Sequence, residues 1–304
     1  MNTATGAIDR RDAIDLTATA LMIGLTLSWG LNYVAAKISY TGFDPLFVSF
    51  VRAALGGALV FLWCLWRRIP LFEKDGTLLA GMAAGLLFGI EFLLLLVGLE
   101  HTTVARNTLL VNAMPFWMLL GGHFLLGEHF TARKLFGLLL AFAGMVVVFS
   151  DRLDGSGTLV GDVLSLGAGI VWAATNLTIK RSRLTSVSAE KVLLYQLAGA
   201  FVVSAVALPF AAEPVRSVTP VATAALLFQA SYIVGFTFVL WFWLLRRYPA
   251  SGLSSFAFLT PVFGVLCGAL LLDEPLSWRI AAALLLIGVG LIIVNRPVRK
   301  QIIG

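Results

Sequence analysis

The sequence predicts an all-α integral membrane protein with ten transmembrane helices arranged as two inverted five-helix repeats, and three observations carry that prediction. Of the 304 residues, 59% are apolar and 12% are charged, with a mean hydropathy of +0.94. Soluble domains carry about a quarter charged residues, so this chain lacks the polar surface that a compact body in water needs. Second, long runs carry no charge. His123 is the only charged or histidine residue between Arg106 and Glu128, and Ser217 to Leu245 contains none. Third, Lys and Arg sort to alternating ends of successive apolar runs. A helix needs roughly 20 apolar residues to cross the hydrocarbon core. Backbone in lipid must satisfy its own polar groups, which leaves helices or closed barrels. The runs are continuously apolar and not alternating, which selects helices.

The spans follow in order. The first, 16–36, comes after Arg10 and Arg11, which read as a cytoplasmic flank because no small-residue cleavage site follows. The second, 45–66, encloses Arg52 and Cys64 and stops at Arg67-Arg68-Ile69-Pro70. The third, 76–97, holds Glu91 and the ladder Gly81, Gly85, Gly89, whose small-xxx-small spacing suits close helix packing. The fourth, 105–126, starts at Arg106 and Asn107 and is interrupted by Pro115; the fifth, 132–150, opens with Arg133 and Lys134. The sixth, 161–180, carries Trp172 and Asn176, and the seventh covers 190–210. The eighth, 219–245, ends at Arg246-Arg247-Tyr248-Pro249. The ninth, 250–272, contains Pro261, Gly264 and Gly268, and the tenth, 277–295, begins beside Arg279. No connection is long enough for a soluble domain. The chain divides into a tail at 1–15, repeats at 16–150 and 161–296, and a tail at 297–304.

With the N-terminus in the cytoplasm, sixteen Lys and Arg residues fall inside, among them Arg67, Arg68, Arg133, Lys134, Lys180, Arg246 and Arg247. Five fall outside: Lys37, Arg106, Arg152, Arg216 and Arg279. That bias places both termini in the cytoplasm, and a missed span would scramble it. The net charge of +6 is therefore a topology signal, and no nucleic-acid partner is expected.

The halves repeat each other. Trp29 precedes Lys37 by eight residues and Trp172 precedes Lys180 by eight. Pro115 precedes Glu128 by thirteen, and Pro261 precedes Glu274 by thirteen. Arg133 with Arg279, and Gly144 with Gly290, share one offset of 146. Each half holds an odd number of spans, so the second must enter the membrane upside down. Inverted halves that exchange conformations open a central site first to one side and then to the other.

The segment Pro115, Gly127-Glu128, Arg133, Gly137, Ala143-Gly144 resembles the end of an EamA domain, and Pro261, Glu274, Arg279, Gly288–Gly290 resembles a second one. Trp29-Gly30-Leu31-Asn32 is similar to the first-helix signature of the same group. Across residues 18 to 296 the chain resembles the drug/metabolite transporter superfamily. That resemblance implies a central cavity lined mainly by the first, third, fourth, sixth, eighth and ninth helices, export of small metabolites, and a bacterial inner membrane as its home. The partners so implied are a small-molecule substrate and the lipid bilayer, for a monomer or homodimer.

Residues that could line such a cavity stand out by type and spacing. Trp29, Asn32, Tyr33 and Ala36 share a helical face, as do Trp172 and Asn176 in the other half. Amides in lipid need partners, so they face protein, as glue between helices, or a water-filled cavity. Glu91 is the only acid deep within a span. A carboxylate there costs about 2.5–3.5 kcal/mol on insertion scales. Taking up and releasing a proton, it would couple transport to protons; it could also attract a substrate ammonium, or simply pair with Arg52. Asn107 lies beside Arg106, which suits either a substrate carboxylate or a snorkelling interfacial role. Asn112 precedes Pro115, whose ring disrupts the bond to the Val111 carbonyl, and its side chain suits repair of that break as well as substrate contact. Pro261 interrupts the matching position at Ala257, and paired breaks point toward a binding site. At α-helical spacing Gln229, Tyr232 and Phe236 share a face, and so do Ser251, Ser254, Ser255 and Phe258, the serines also suiting close packing. Glu128 and Glu274 suit capping of the helices that follow them, or pairing with Arg133 and Arg279.

Several classes drop out. No phosphate loop ending in Lys-Ser or Lys-Thr occurs, so ATP does not drive the chain. No hydrolase elbow or zinc-protease pair occurs. Cys64, Cys267 and the three scattered histidines give no disulfide or metal spacing, and no cofactor is expected. The reading is a secondary active exporter of small metabolites such as amino acids. Multidrug or cationic-compound efflux is the alternative, and an intramembrane enzyme using Glu91 is a more distant one.

Overall fold

The computed structural model describes residues 11–102, 104–150, 158–272 and 278–296, and among these the chain is helical apart from one isolated bridge between Phe43 and Val215. Its helices are α1 (Leu16–Ser39), α2 (Pro45–Trp66), α3 (Leu78–His101), α4 (Val104–Val111), α5 (Met114–Leu126), α6 (Ala132–Phe149) and α7 (Leu159–Arg181). Then come α8 (Ala189–Ala207), α9 (Pro220–Phe228), α10 (Phe238–Arg247), α11 (Ala250–Ser255), α12 (Leu259–Leu272) and α13 (Arg279–Asn295). Three rods are composite. α4 and α5 are separated at Asn112 and Ala113, α9 and α10 are joined by a π-helix at Gln229–Thr237, and α11 and α12 by a 3-10 turn at Phe256–Phe258. Among the described residues eight stretches are long and apolar enough to cross a membrane, and α6 with the shorter α13 brings the rods there to ten.

Polar residues mark where rods begin. Asp15, Thr131, Thr158, Ser188 and Thr219 each accept an N–H from three residues on, and Asp44 accepts from Leu46. Each satisfies a donor that the helix cannot reach itself. α5 stops at Gly127, whose φ of 69° is a left-handed cap that favours glycine. Outward faces carry Trp66, Leu79, Phe124 and Leu270, while Thr26, Gln196, Ser204 and Thr237 are buried. The bundle is thus apolar outside and partly polar inside, as a lipid solvent requires.

The inversion is visible in the packing. α6 runs along α13, α3 lies against α7 and α8, α2 against α8 and the π-helix, and α1 against α9 and α12. Exchanging the two halves maps α3–α8 onto the π-helix with α2, and α5–α7 onto α12–α1, while α6–α13 maps onto itself. At that last seam a Cβ added to Gly137 would lie 2.8 Å from the Gly290 carbonyl oxygen, and one on Gly144 would lie 2.9 Å from that of Ala283. Position advances along α6 as it retreats along α13, so these counterpart helices run in opposite directions. Only glycine lets the backbones come so close.

Candidate functional site

An aromatic cluster ties the two halves together in the middle of the bundle. The Trp29 indole N–H donates to the Thr237 hydroxyl at 3.0 Å, and its ring meets Trp241 edge-on at 5.7 Å and Phe238 at 6.3 Å. Trp241 donates in turn to the Asn176 carboxamide oxygen at 3.3 Å. Phe238 packs edge-on with Phe88 at 5.8 Å, Phe88 with Phe92 at 5.0 Å, and the Arg52 guanidinium lies over the Phe92 ring at 5.6 Å. α1, α2, α3, α7 and α10 therefore each send a side chain into one continuous group. Edge-on rings gain about 0.5–1.5 kcal/mol beyond the area they bury.

Beside this cluster lies a cavity of about 20 Å³, lined by Ser49, Arg52, Phe88, Phe92, Val234 and Phe238 among others. It holds roughly one water, so this cavity does not admit a metabolite in this conformation. Further along the same three helices, α2, α3 and α8, is a much larger apolar space of about 550 Å³ lined by Leu46, Leu93, Val97 and Val203.

Glu91 is 5% exposed, and its Oε2 has no hydrogen-bond partner among the described residues. The ion pair with Arg52 that suits the two charges is not formed; Arg52 reaches instead to the Gln229 carboxamide oxygen at 3.4 Å. The Asn32 Oδ1 and Asn176 Nδ2 atoms likewise lack partners among the described residues, as do both polar atoms of Gln196. An unsatisfied buried polar group costs about 1–3 kcal/mol, and further ones occur at Trp117, Thr260 and Asn295.

Other singled-out residues have different surroundings. Asn107 donates to the Leu95 carbonyl at 3.1 Å and the Ser165 hydroxyl at 2.8 Å, clasping α4 to α3 and α7. Asn112 donates to the Thr108 carbonyl at 2.9 Å, which its own backbone N–H also reaches, so the expected repair at the Val111 carbonyl is not formed. Ser255 donates to the Gly252 carbonyl at 2.6 Å and accepts from Asn295, and Phe258 is fully buried between Phe116 and Phe142. Trp172 packs on the main core. The side chain of Tyr33 and the whole of Glu274 lie outside the described residues.

The shared face expected for Gln229, Tyr232 and Phe236 is not formed. Gln229 is fully buried and donates to the Ser39 hydroxyl at 3.0 Å, whereas Tyr232 and Phe236 are 39% and 58% exposed, with Tyr232 stacked between Phe228 and Phe236 along the outer wall. The π-helix is the reason. Its i→i+5 bonds widen each turn, so residues three and seven apart no longer align. Trp241, Thr237 and Phe238, which the sequence did not mark, occupy the inner face instead. Their only signal was a second aromatic stripe downstream of the first.

Polar contacts close both ends. At one end Asp15 accepts from Tyr248 at 3.0 Å and from Arg11, while Lys180 donates to the Leu245 and Tyr248 carbonyls. The Ala18 N–H holds the Asp15 carboxyl below the usual carboxylate range, and burial, helped by the bond to Asp15, pushes the Tyr248 hydroxyl up. Glu128 accepts from the Ala250 N–H at 3.0 Å and from the Ser251 hydroxyl, so it caps α11 and not α6, whose cap is Thr131. At the other end Arg216 bonds Asp44 at 3.3 Å and the Tyr40 carbonyl at 3.4 Å, and the Thr158 N–H donates to the His101 carbonyl at 2.9 Å.

Comparison with known proteins places this geometry. A transporter of Bacillus subtilis, YoaV, is 29% identical over 278 residues, covering 89% of this chain and 94% of that one. An Escherichia coli protein named "Probable amino-acid metabolite efflux pump" is 27% identical over 285 residues, covering 90% and 93%. A solved crystal structure superposes with a TM-score of 0.80 at 20% identity, over 92% of this chain and 98% of that one, which shows the shared fold. The EamA-like transporter family matches residues 16–150 and 159–296. With both halves so matched, the chain belongs to the EamA-like transporter family: it is a multi-pass membrane transporter and not an enzyme.

Proposed function

We propose that this chain is a secondary active exporter of amino acids and related small metabolites, working by alternating access of its two inverted halves. The observation that carries the substrate class is the amino-acid metabolite efflux pump among its relatives. The antiparallel seam between counterpart helices α6 and α13 supports the mechanism, because halves that match upside down can trade conformations. In this reading the transporter sits in the cytoplasmic membrane with both termini inside. The aromatic cluster of Trp29, Trp241 and Phe238, with Trp172 as a further indole, receives the apolar part of the substrate, with Asn32, Asn176 and Gln229 supplying polar contacts and Glu91 carrying the coupling proton. Asn107, Asn112, Ser255 and Phe258 support the cavity walls. A cationic, aromatic compound is the second reading, favoured by indole rings and a buried carboxyl within the same bundle.

Counterflow into proteoliposomes tests both. Saturable exchange of a labelled amino acid is the expected result, and exchange of cationic drugs alone would favour the second reading. Glu91→Gln is expected to keep exchange but lose net flux driven by a pH gradient. Undiminished gradient-driven flux in that variant would remove Glu91 from the coupling role.

A further inference from the structure

We propose that Arg52 is the carboxylate subsite of the transport cavity, resting on the reading above that the substrate is an amino acid. Arg52 lies well within α2 and faces inward, lining the closed central cavity together with Ser49. A guanidinium presents five N–H donors in a planar fork that matches a carboxylate in two-point fashion. Here its one hydrogen bond among the described residues is the contact to the Gln229 oxygen at 3.4 Å, a long bond from one edge to a neutral acceptor. Phe92 covers part of its face at 5.6 Å. No carboxylate among the described residues pairs with it.

The acid best placed by sequence to neutralise it is Glu91, next to Phe92 on the neighbouring helix, and that carboxyl also keeps one oxygen without a partner. Both ionisable side chains thus lie inside the bundle, on neighbouring helices, and neither is spent on the other. A zwitterion resolves both: its carboxylate meets the Arg52 fork, and its ammonium turns toward Glu91. Two-point ionic recognition is stronger and more directional than a neutral contact.

The walls say what else the ligand carries. Phe88, Phe92, Val234 and Phe238 line the same small cavity as Arg52, and a turn further along α2, α3 and α8 lies the apolar space of about 550 Å³. An amino acid with a large branched or aromatic side chain fits this division between charged head and apolar body. The Ser49 hydroxyl, 3.2 Å from that of Ser204 on α8, offers a further polar contact at the head.

The test uses the full chain in proteoliposomes, with counterflow of labelled leucine and phenylalanine and competition by their amides, their methyl esters and the matching decarboxylated amines. In wild type the free acid is expected to compete at least about tenfold better than amide, ester or amine, a measurement that requires no variant. In monodisperse Arg52→Gln the preference for acid over amide is expected to collapse, and Arg52→Lys is expected to restore part of it. Equal competition by acid and amide in wild type would overturn the subsite while leaving amino-acid export standing. So would an undiminished acid preference in Arg52→Gln. Wild type that exchanges cationic drugs and neither amino acid would overturn the export reading and the subsite together.

Discussion

Glu128 reaches across from the end of one rod to the start of another, accepting from Ala250 and Ser251 at the beginning of α11. Removing a helix cap costs about 0.5–2 kcal/mol, so Glu128→Ala is expected to melt at lower temperature in detergent, with Glu128→Gln in between; equal melting of all three would remove the cap. The capping role was legible in the sequence, since a carboxylate between two helices suits it. Which helix it caps was not, because nothing local says that α11 folds back onto this loop. Asp75 and Lys191 make a similar cross-connection at 2.6 Å, with Thr77 donating to the same carboxyl group. The Lys191 ammonium holds the Asp75 carboxyl well below its ordinary value of 3.8. A carboxyl depressed in the folded state stabilises fully above the unfolded value and loses that contribution as pH falls through the folded one. Asp75→Asn is therefore expected to be less stable than wild type at neutral pH and to lose less on acidification. Parallel melting curves for the two proteins across that range would rule the pair out as a source of stability.

At the scale of the element, close approach decides which glycines matter. Gly85 on α3 and Gly199 on α8 meet backbone to backbone: a Cβ on either would collide with main-chain atoms of the other helix. Main chain cannot rotate away, so Gly199→Val is expected to force the helices apart and reduce the yield of monodisperse protein sharply. Gly24→Ala, with open space around it, is the matched control and is expected to behave as wild type. Size-exclusion profiles of the two variants decide it, and identical profiles would mean that α3 and α8 do not pack this tightly. The small-residue ladder itself was readable from spacing; its partner helix was not. The rod from Pro220 to Arg247 shows the opposite limit. Its existence and length followed from hydropathy, but its inner face depended on a π-helix that no composition rule reports. One change of winding sent Tyr232 and Phe236 outward and brought Thr237, Phe238 and Trp241 in.

For the whole molecule, the ordered recurrence of Pro, Glu, Arg and Gly at fixed spacing made the two halves legible, because equivalent helices need equivalent breaks and contacts. What stayed hidden was how far the centre closes, since that depends on side chains from five helices meeting at once. The proposed orientation is open to direct measurement. Ser186 and Ser217 are exposed in connections that it assigns to opposite sides, and the native Cys64 and Cys267 are buried. Ser217→Cys is expected to react with a membrane-impermeant maleimide added to intact cells, and Ser186→Cys only after lysis; the reverse pattern would invert the topology. The seam of α6 and α13 bears on everything that moves. Its contacts read the same when the halves trade places, so the in-plane axis that relates the halves crosses it, and the line of contact between α6 and α13 is kept in both conformations. A bundle built this way has a stator. A rigid staple along that line should leave turnover running, whereas the same staple between α1 and α12, packed at Gly30 against Phe263 and Gly264, should arrest it. Whatever must be anchored without being slowed, whether a second copy or a neighbouring protein, has one natural place to hold on.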